Sequence, residues 1–113
     1  MMISVVVPTH NPNPDYFSQT LQALGNQSLS LSQWELLIVD NASLPSVNLG
    51  WCEERFGNKL HLVREPEPGL SHARLAGMIS ANAELIVFCD DDNIFEEKYL
   101  ELALQKMQQS PVV

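Results

Sequence analysis

Four short apolar runs, Ile3 to Val7, Trp34 to Val39, Leu60 to Val63 and Leu85 to Cys89, recur along this chain with helical patterns between them. That alternation constrains the fold more than any other feature. The first two runs suit strands covered on both sides rather than half-wet hairpin strands, and the other two read as the third and fourth strands. The intervening segments carry helix signals. In NPNPDYF, Asn13 can cap a helix whose first position is Pro14, with Asp15 near the positive end of the dipole. Tyr16, Phe17, Thr20, Leu21 and Leu24 then fall at helical spacing, and Gly25 with Asn26 offers the stop. Leu49, Cys52 and Phe56 make a weaker pattern that ends at Gly57. After the turn EPEPG, Ser71 is the expected N-cap of a helix reaching about Asn82, with Leu75, Met78, Ile79 and Asn82 on its apolar face. A last helix is expected from Glu96 and Glu97, its face formed by Leu100, Ala103, Leu104 and Met107.

Strand and helix alternating in this way predict right-handed crossovers and an α/β, Rossmann-like, doubly wound, mostly parallel sheet of about four strands. The 113 residues suffice for one domain with a modest core, and no repeat, linker or low-complexity tract divides them. In such sheets ligands bind beyond the carboxyl ends of the strands. The polar clusters of this chain fall at those ends: PTHN, DNAS, EPGLSHAR and DDDN follow the four runs in turn.

Charge narrows the ligand. With 14 acidic and 6 basic side chains the formal net charge is -8, so no basic field gathers DNA or RNA, and nucleic acid is not an expected partner. An anionic ligand would need a cation to mediate. Cys52 and Cys89 stand far apart and outside any CxxC or Cys/His cluster, which suggests neither a disulfide framework nor a zinc site. MMISVVVPTH lacks a basic leader and a cleavage site, and no apolar run approaches the roughly 20 residues of a membrane span. A reducing, cytoplasmic setting is the expectation. The ending MQQSPVV stops on what reads as the start of another apolar segment, so the chain is expected to be truncated at its C-terminus.

Neither GxxxxGK[ST] nor GxGxxG occurs, so a phosphate would not be cradled by a glycine-rich turn. Asp90, Asp91 and Asp92 at the end of the fourth run can instead hold a hard divalent cation through oxygen ligands, and the cation can neutralise a diphosphate. The plain alternative is a cap and loop carboxylates ahead of the final helix. One aspartate would serve that need, and three adjacent ones repel. Asp40 and Asn41 could equally form an Asx turn. Arg74 could pair with Glu65 or Glu67 on the surface, or meet an anion from the first turn of its helix, where the dipole disfavours an unpaired cation. His10 and His72 read as loop residues with an open ligand role, and His61 as structural.

Taken together, VVVPTHN, WELLIVDNAS and EPGLSHARLAGMISANAELIVFCDDDN resemble the N-terminal, nucleotide-binding half of family 2 glycosyltransferases of the GT-A fold. The resemblance spans nearly all of residues 1–113, with the motifs in order. It implies an enzyme that transfers a sugar from a nucleoside-diphosphate sugar, with a UDP-sugar favoured, to an acceptor hydroxyl of a saccharide or lipid-linked acceptor, with inversion and with Mn2+ or Mg2+. By position, Thr9 and Asp40 would contact the base and ribose side and Arg74 would reach the nucleotide. Asp90 and Asp91 would lie near ribose and sugar, and Asp92 would bind the cation. Three positions depart from the family's pattern: Asn41 stands for a second aspartate, Leu75 for an asparagine and Ala83 for a glycine. The first puts any role for position 41 in doubt. The acceptor site and catalytic base of the family follow the aspartate motif, so the resemblance places the base beyond Val113 and implies that this piece alone does not turn over. A full-length enzyme could also work at the inner face of a membrane.

Two other classes compete. A nucleotide-binding or interaction domain without turnover fits residues 1–113 equally well. A receiver domain or a DxDxT phosphatase would need its carboxylates after the first run, where PTHN stands.

Overall fold

The computed structural model describes residues 1–109, and the apolar segment read at Pro111 to Val113 lies outside them. Four strands, β1 (Ile3–Thr9), β2 (Trp34–Asn41), β3 (Leu60–Glu65) and β4 (Leu85–Phe88), alternate with α1 (Pro14–Gly25), α2 (Cys52–Phe56), α3 (Leu70–Ser80) and α4 (Tyr99–Gln109). They form one sheet in the order β3-β2-β1-β4, and every pair is parallel. The expected doubly wound α/β architecture is therefore present. The chain starts in the middle of the sheet, winds out through β2 to β3, and returns to the far side of β1. The reversal lies between β1 and β4, and a crevice opens at the carboxyl ends of strands at such a point.

Both faces of β1 and β2 are buried, as their unbroken apolar runs require. Val5, Val7, Leu36 and Ile38 pack in one layer with Phe17, Leu21 and Leu24 of α1, Phe56 of α2 and Leu100 of α4. Val6, Leu37 and Val39 face the opposite layer, with Ala73 of α3. Pro8 sits inside β1 without breaking it. Val6 accepts the Cys89 N–H across the β4 side, so the donor that Pro8 lacks would point to the same side, beyond the last β4 partner Phe88.

The first helix starts as read, with Asn13 Oδ1 accepting from the Asp15 and Tyr16 N–H groups. The third does not. It begins at Leu70 after Gly69, with Ser71 inside the first turn and no side-chain cap, and it ends before Asn82. Its buried residues are Ala73 and Gly77, whereas Leu75, Met78 and Ile79 are exposed, Ile79 at 76%. The cause is close approach: a β-carbon at Gly77 would collide with Val6 Cγ1 and stand 3.3 Å from Val39 Cγ2. Only the small side of α3 can lie that near the sheet. The last helix begins at Tyr99 rather than at Glu96, and Leu100 and Leu104 supply its buried face while Met107 is exposed.

Candidate functional site

The carboxyl ends of the four strands, with the segments that follow them, converge on one pocket of about 490 Å3. Thr9 and His10 come from the first, Asn41 from the second, Gly69, Leu70 and Ala73 from the third, and Asp90, Asp91 and Asp92 from the fourth. Of the residues singled out in the sequence, Thr9 and the three aspartates are thus brought together.

The fourth loop explains itself from its backbone. Asn93 N–H donates to the Asp90 carbonyl, which turns the chain just after β4, and six residues separate this turn's last aspartate from the start of α4. Asp90 to Asp92 therefore do not cap that helix; they stand in the loop ahead of it. Asp91 is anchored twice: Thr9 Oγ1 donates to its Oδ2 at 2.6 Å, and Thr20 Oγ1 of α1 donates to its carbonyl at 3.0 Å. Thr9 and Thr20 are buried, so a strand end and a helix hold the loop from within. Asp90 and Asp92 are exposed beside it. Among the described residues no group of three or more His, Cys, Asp or Glu side chains converges into a ready cage. The donor set fits a Mg2+-like ion of another kind, one that takes one or two carboxylates and completes its shell with ligand phosphates and water.

Asp40 lies elsewhere. It is 3% exposed and does not line the pocket; its Oδ1 accepts from the Ser43 N–H, and its Oδ2 accepts from the Val47 N–H and from Arg64, each at 3.1 Å. Burial alone would raise this carboxyl, but the hydrogen bonds from Ser43 and Val47 and the Arg64 charge outweigh it and hold the pKa below its ordinary value. Asp40 shapes the loop after β2. Arg74 pairs with neither Glu65 nor Glu67; its guanidinium carbon lies 5.6 Å from the centre of the Phe88 ring, at the end of β4. That places the cation over the end of β4 and outside the pocket lining. His61 is structural as read, meeting the buried Glu35 at 3.1 Å.

Several contributors escaped the sequence. Asn41 hydrogen bonds across to the loop after β3, Arg64 braces Asp40, and Thr20 holds Asp91. Thr20 had one signal, a hydroxyl on the apolar face of a helix. Cys89 is no nucleophile: burial, with the three following aspartates, pushes its thiol up to about 12. A neighbouring cavity of about 520 Å3, lined by Phe17, Leu21, Trp51 and other uncharged residues, carries no charged side chain.

Comparisons with known proteins bear on the family and the fold. The family model for glycosyl transferase family 2 matches residues 4–113. The structure of S. aureus TarS 1-349 in complex with UDP superposes with a TM-score of 0.81 at 25% identity, over 96% of this chain and 32% of that one. The same protein in complex with UDP-GlcNAc gives 0.78 at 24%, which speaks for the fold, again over 96% and 32%. The mannosyltransferase PcManGT from Pyrobaculum calidifontis in complex with GDP-Man and Mn2+ gives 0.77 at 25%, over 98% of this chain and 33% of that one. The chain thus spans about a third of these structures. No curated protein sequence matches it. The family match over nearly the whole length settles the identity: this chain belongs to glycosyl transferase family 2.

Proposed function

We propose that residues 1–113 are the nucleotide-sugar-binding part of a metal-assisted glycosyltransferase, with the donor, a UDP-sugar favoured, held in the pocket at the β1/β4 reversal. The observation that carries this reading is the convergence of the strands' carboxyl ends and the segments after them on one pocket whose carboxylates are Asp90, Asp91 and Asp92. Support for the ligand class comes from the relatives crystallised with UDP and with GDP-Man and Mn2+.

In this reading Asp92, exposed and free of the anchors that hold Asp91, takes Mn2+ or Mg2+. When bound, the ion would neutralise the diphosphate and act as a Lewis acid on the departing group. Asp91, fixed by Thr9 and Thr20, and Asp90 face the ribose and sugar. Thr9 serves through Asp91. Arg74, lying over Phe88 at the end of β4, reaches the nucleotide from α3. Asp40 enters as a positioning residue, since its oxygens are engaged by its own loop and Arg64.

The acceptor, saccharide or lipid-linked, and the base that activates it belong to residues outside this stretch. Binding without turnover is the second reading for residues 1–113, and one observation favours it: among the described residues, the carboxylates lining the pocket are the three already given to cation and donor. Two free, buried cysteines suit a cytoplasmic setting, at a membrane's inner face if the acceptor is lipid-linked. No helix among the described residues is long and apolar enough to cross a membrane.

Thermal unfolding with UDP, GDP and Mn2+, singly and combined, tests the binding claim. UDP with Mn2+ should raise the midpoint more than the two separate shifts added. No shift at millimolar ligand would refute it.

A further inference from the structure

Asn41 ends β2 with its side chain almost wholly out of solvent, at 3% exposure, and with three of its hydrogen-bonding positions filled. Its Nδ2 donates to the Glu65 carbonyl at 3.0 Å and to the Glu67 carbonyl at 2.7 Å, and its Oδ1 accepts the Gly69 N–H at 2.9 Å. Its own carbonyl accepts from His10 Nδ1 at 2.6 Å. One residue therefore ties the loop after β3 and the loop after β1 to the end of β2. Both loops line the pocket.

The chemistry of those contacts selects an amide. Two carbonyls need two donors and one N–H needs one acceptor, all on the same short side chain. A carboxylate could take the Gly69 N–H, but it would offer no donor and would set a charge against two carbonyl oxygens. An alanine would leave all three groups unpaired. Gly69 adds a backbone constraint, since its φ of 138° is one that residues with a β-carbon rarely adopt. The loop is thus held in one conformation by the amide at one end and the glycine at the other. Leu70 and Ala73, the pocket wall supplied by α3, follow directly.

We infer that Asn41 is a positioning residue for nucleotide binding: it sets the loop from Glu65 to Gly69, and through it the first turn of α3 with Ala73 and Arg74, against the aspartate loop across the pocket. The inference rests on the proposed nucleotide site. It assigns a function to one of the three positions where the chain departs from its family's pattern.

The test uses Asn41→Ala and Asn41→Asp in the whole chain, with two readouts. Amide hydrogen exchange reports the clamp, and calorimetric titration of UDP with Mn2+ reports positioning. Asn41→Ala should speed exchange at Gly69 and weaken UDP about tenfold at every pH. Asn41→Asp should weaken UDP by a similar factor at about pH 8 and recover toward wild type at about pH 5.5, where the introduced carboxyl, buried against two carbonyls, protonates and donates to one of them. His10 is the titratable side chain that touches this position; Glu65 and Glu67 meet the amide through their carbonyls, and Asp40 and Arg64 pair with each other alongside. Each variant is compared with wild type at the same pH, which cancels their titration and that of the nucleotide. Unchanged exchange at Gly69 overturns the clamp. Faster exchange with UDP affinity within about twofold of wild type overturns the positioning role while keeping the clamp. If wild type binds no nucleotide, the site reading fails and takes the positioning role with it, and the exchange data then judge the clamp alone.

Discussion

Thr9 Oγ1 donates a 2.6 Å hydrogen bond to Asp91 Oδ2, joining the end of the central strand to the loop that follows β4, 82 residues later. The bond crosses the sheet's reversal point, and it decides which Asp91 oxygen remains available to a ligand. Removing the donor tests that arrangement.

Thr9→Val keeps the shape of the side chain and deletes its hydroxyl. A hydrogen bond to a charged group contributes about 1.5 to 3 kcal/mol, though the freed carboxylate can recover part of that from water. The variant should fold, and it should bind UDP with Mn2+ about three- to tenfold more weakly by calorimetry. Equal affinity in a folded variant would mean that the orientation of Asp91 is immaterial.

Gly77 presses α3 against Val6 and Val39. Alanine has the better helix propensity by about 1 kcal/mol, which favours Gly77→Ala. Overpacking opposes it by about 1 to 3 kcal/mol, and Val6 is β-branched, fully buried and unable to turn away. Overpacking should win. The urea midpoint of Gly77→Ala is therefore expected below that of wild type, and an equal or higher midpoint would show that the helix can lift off the sheet at no cost.

Glu35 supplies the acid-sensitive element. It is fully buried, and burial by itself would raise its carboxyl, yet donations from Ser4 and Asn82 and the proximity of His61 hold the pKa below the ordinary 4.5. The folded protein thus keeps Glu35 ionised more strongly than the unfolded chain does. The resulting stability is complete above pH 4.5 and is lost as pH falls below that value through the folded-state pKa. Asp40 behaves in the same direction below its ordinary 3.8. Glu35→Gln should be less stable than wild type at neutral pH and should lose less on acidification, as followed by urea midpoints from about pH 6 to pH 3. Parallel acid limbs for the two proteins would contradict the assignment.

β1 and β2 were legible in the sequence because their burial on both faces leaves unbroken apolar runs, and the aspartate loop because its members are consecutive. The packed face of α3 was not. Hydropathy favoured Leu75, Met78 and Ile79, whereas the helix lies so near the sheet that only Ala73 and Gly77 fit beneath it. The distant partners of Asn41 and Asp40 were not legible for another reason. Part of their partner set is fixed by register: β2 pairs Asp40 with Arg64 and Asn41 with Glu65, and those are among the residues their side chains meet. A pairing between strands 24 positions apart in sequence leaves no local pattern to find.

The central claim is that the aspartates after β4 bind a nucleoside diphosphate through a divalent cation. The most direct measurement is a calorimetric titration of UDP into wild type and Asp92→Asn, each with and without Mn2+, after both are shown to be folded. Asparagine preserves the shape and turn-forming ability of aspartate while removing the charge a hard ion needs. Wild type should bind UDP at least about tenfold more tightly with Mn2+ than without it, and Asp92→Asn should bind weakly and with no response to the ion. Retained, Mn2+-dependent binding in folded Asp92→Asn would contradict the role of that residue, and metal-independent binding by wild type would contradict the claim itself.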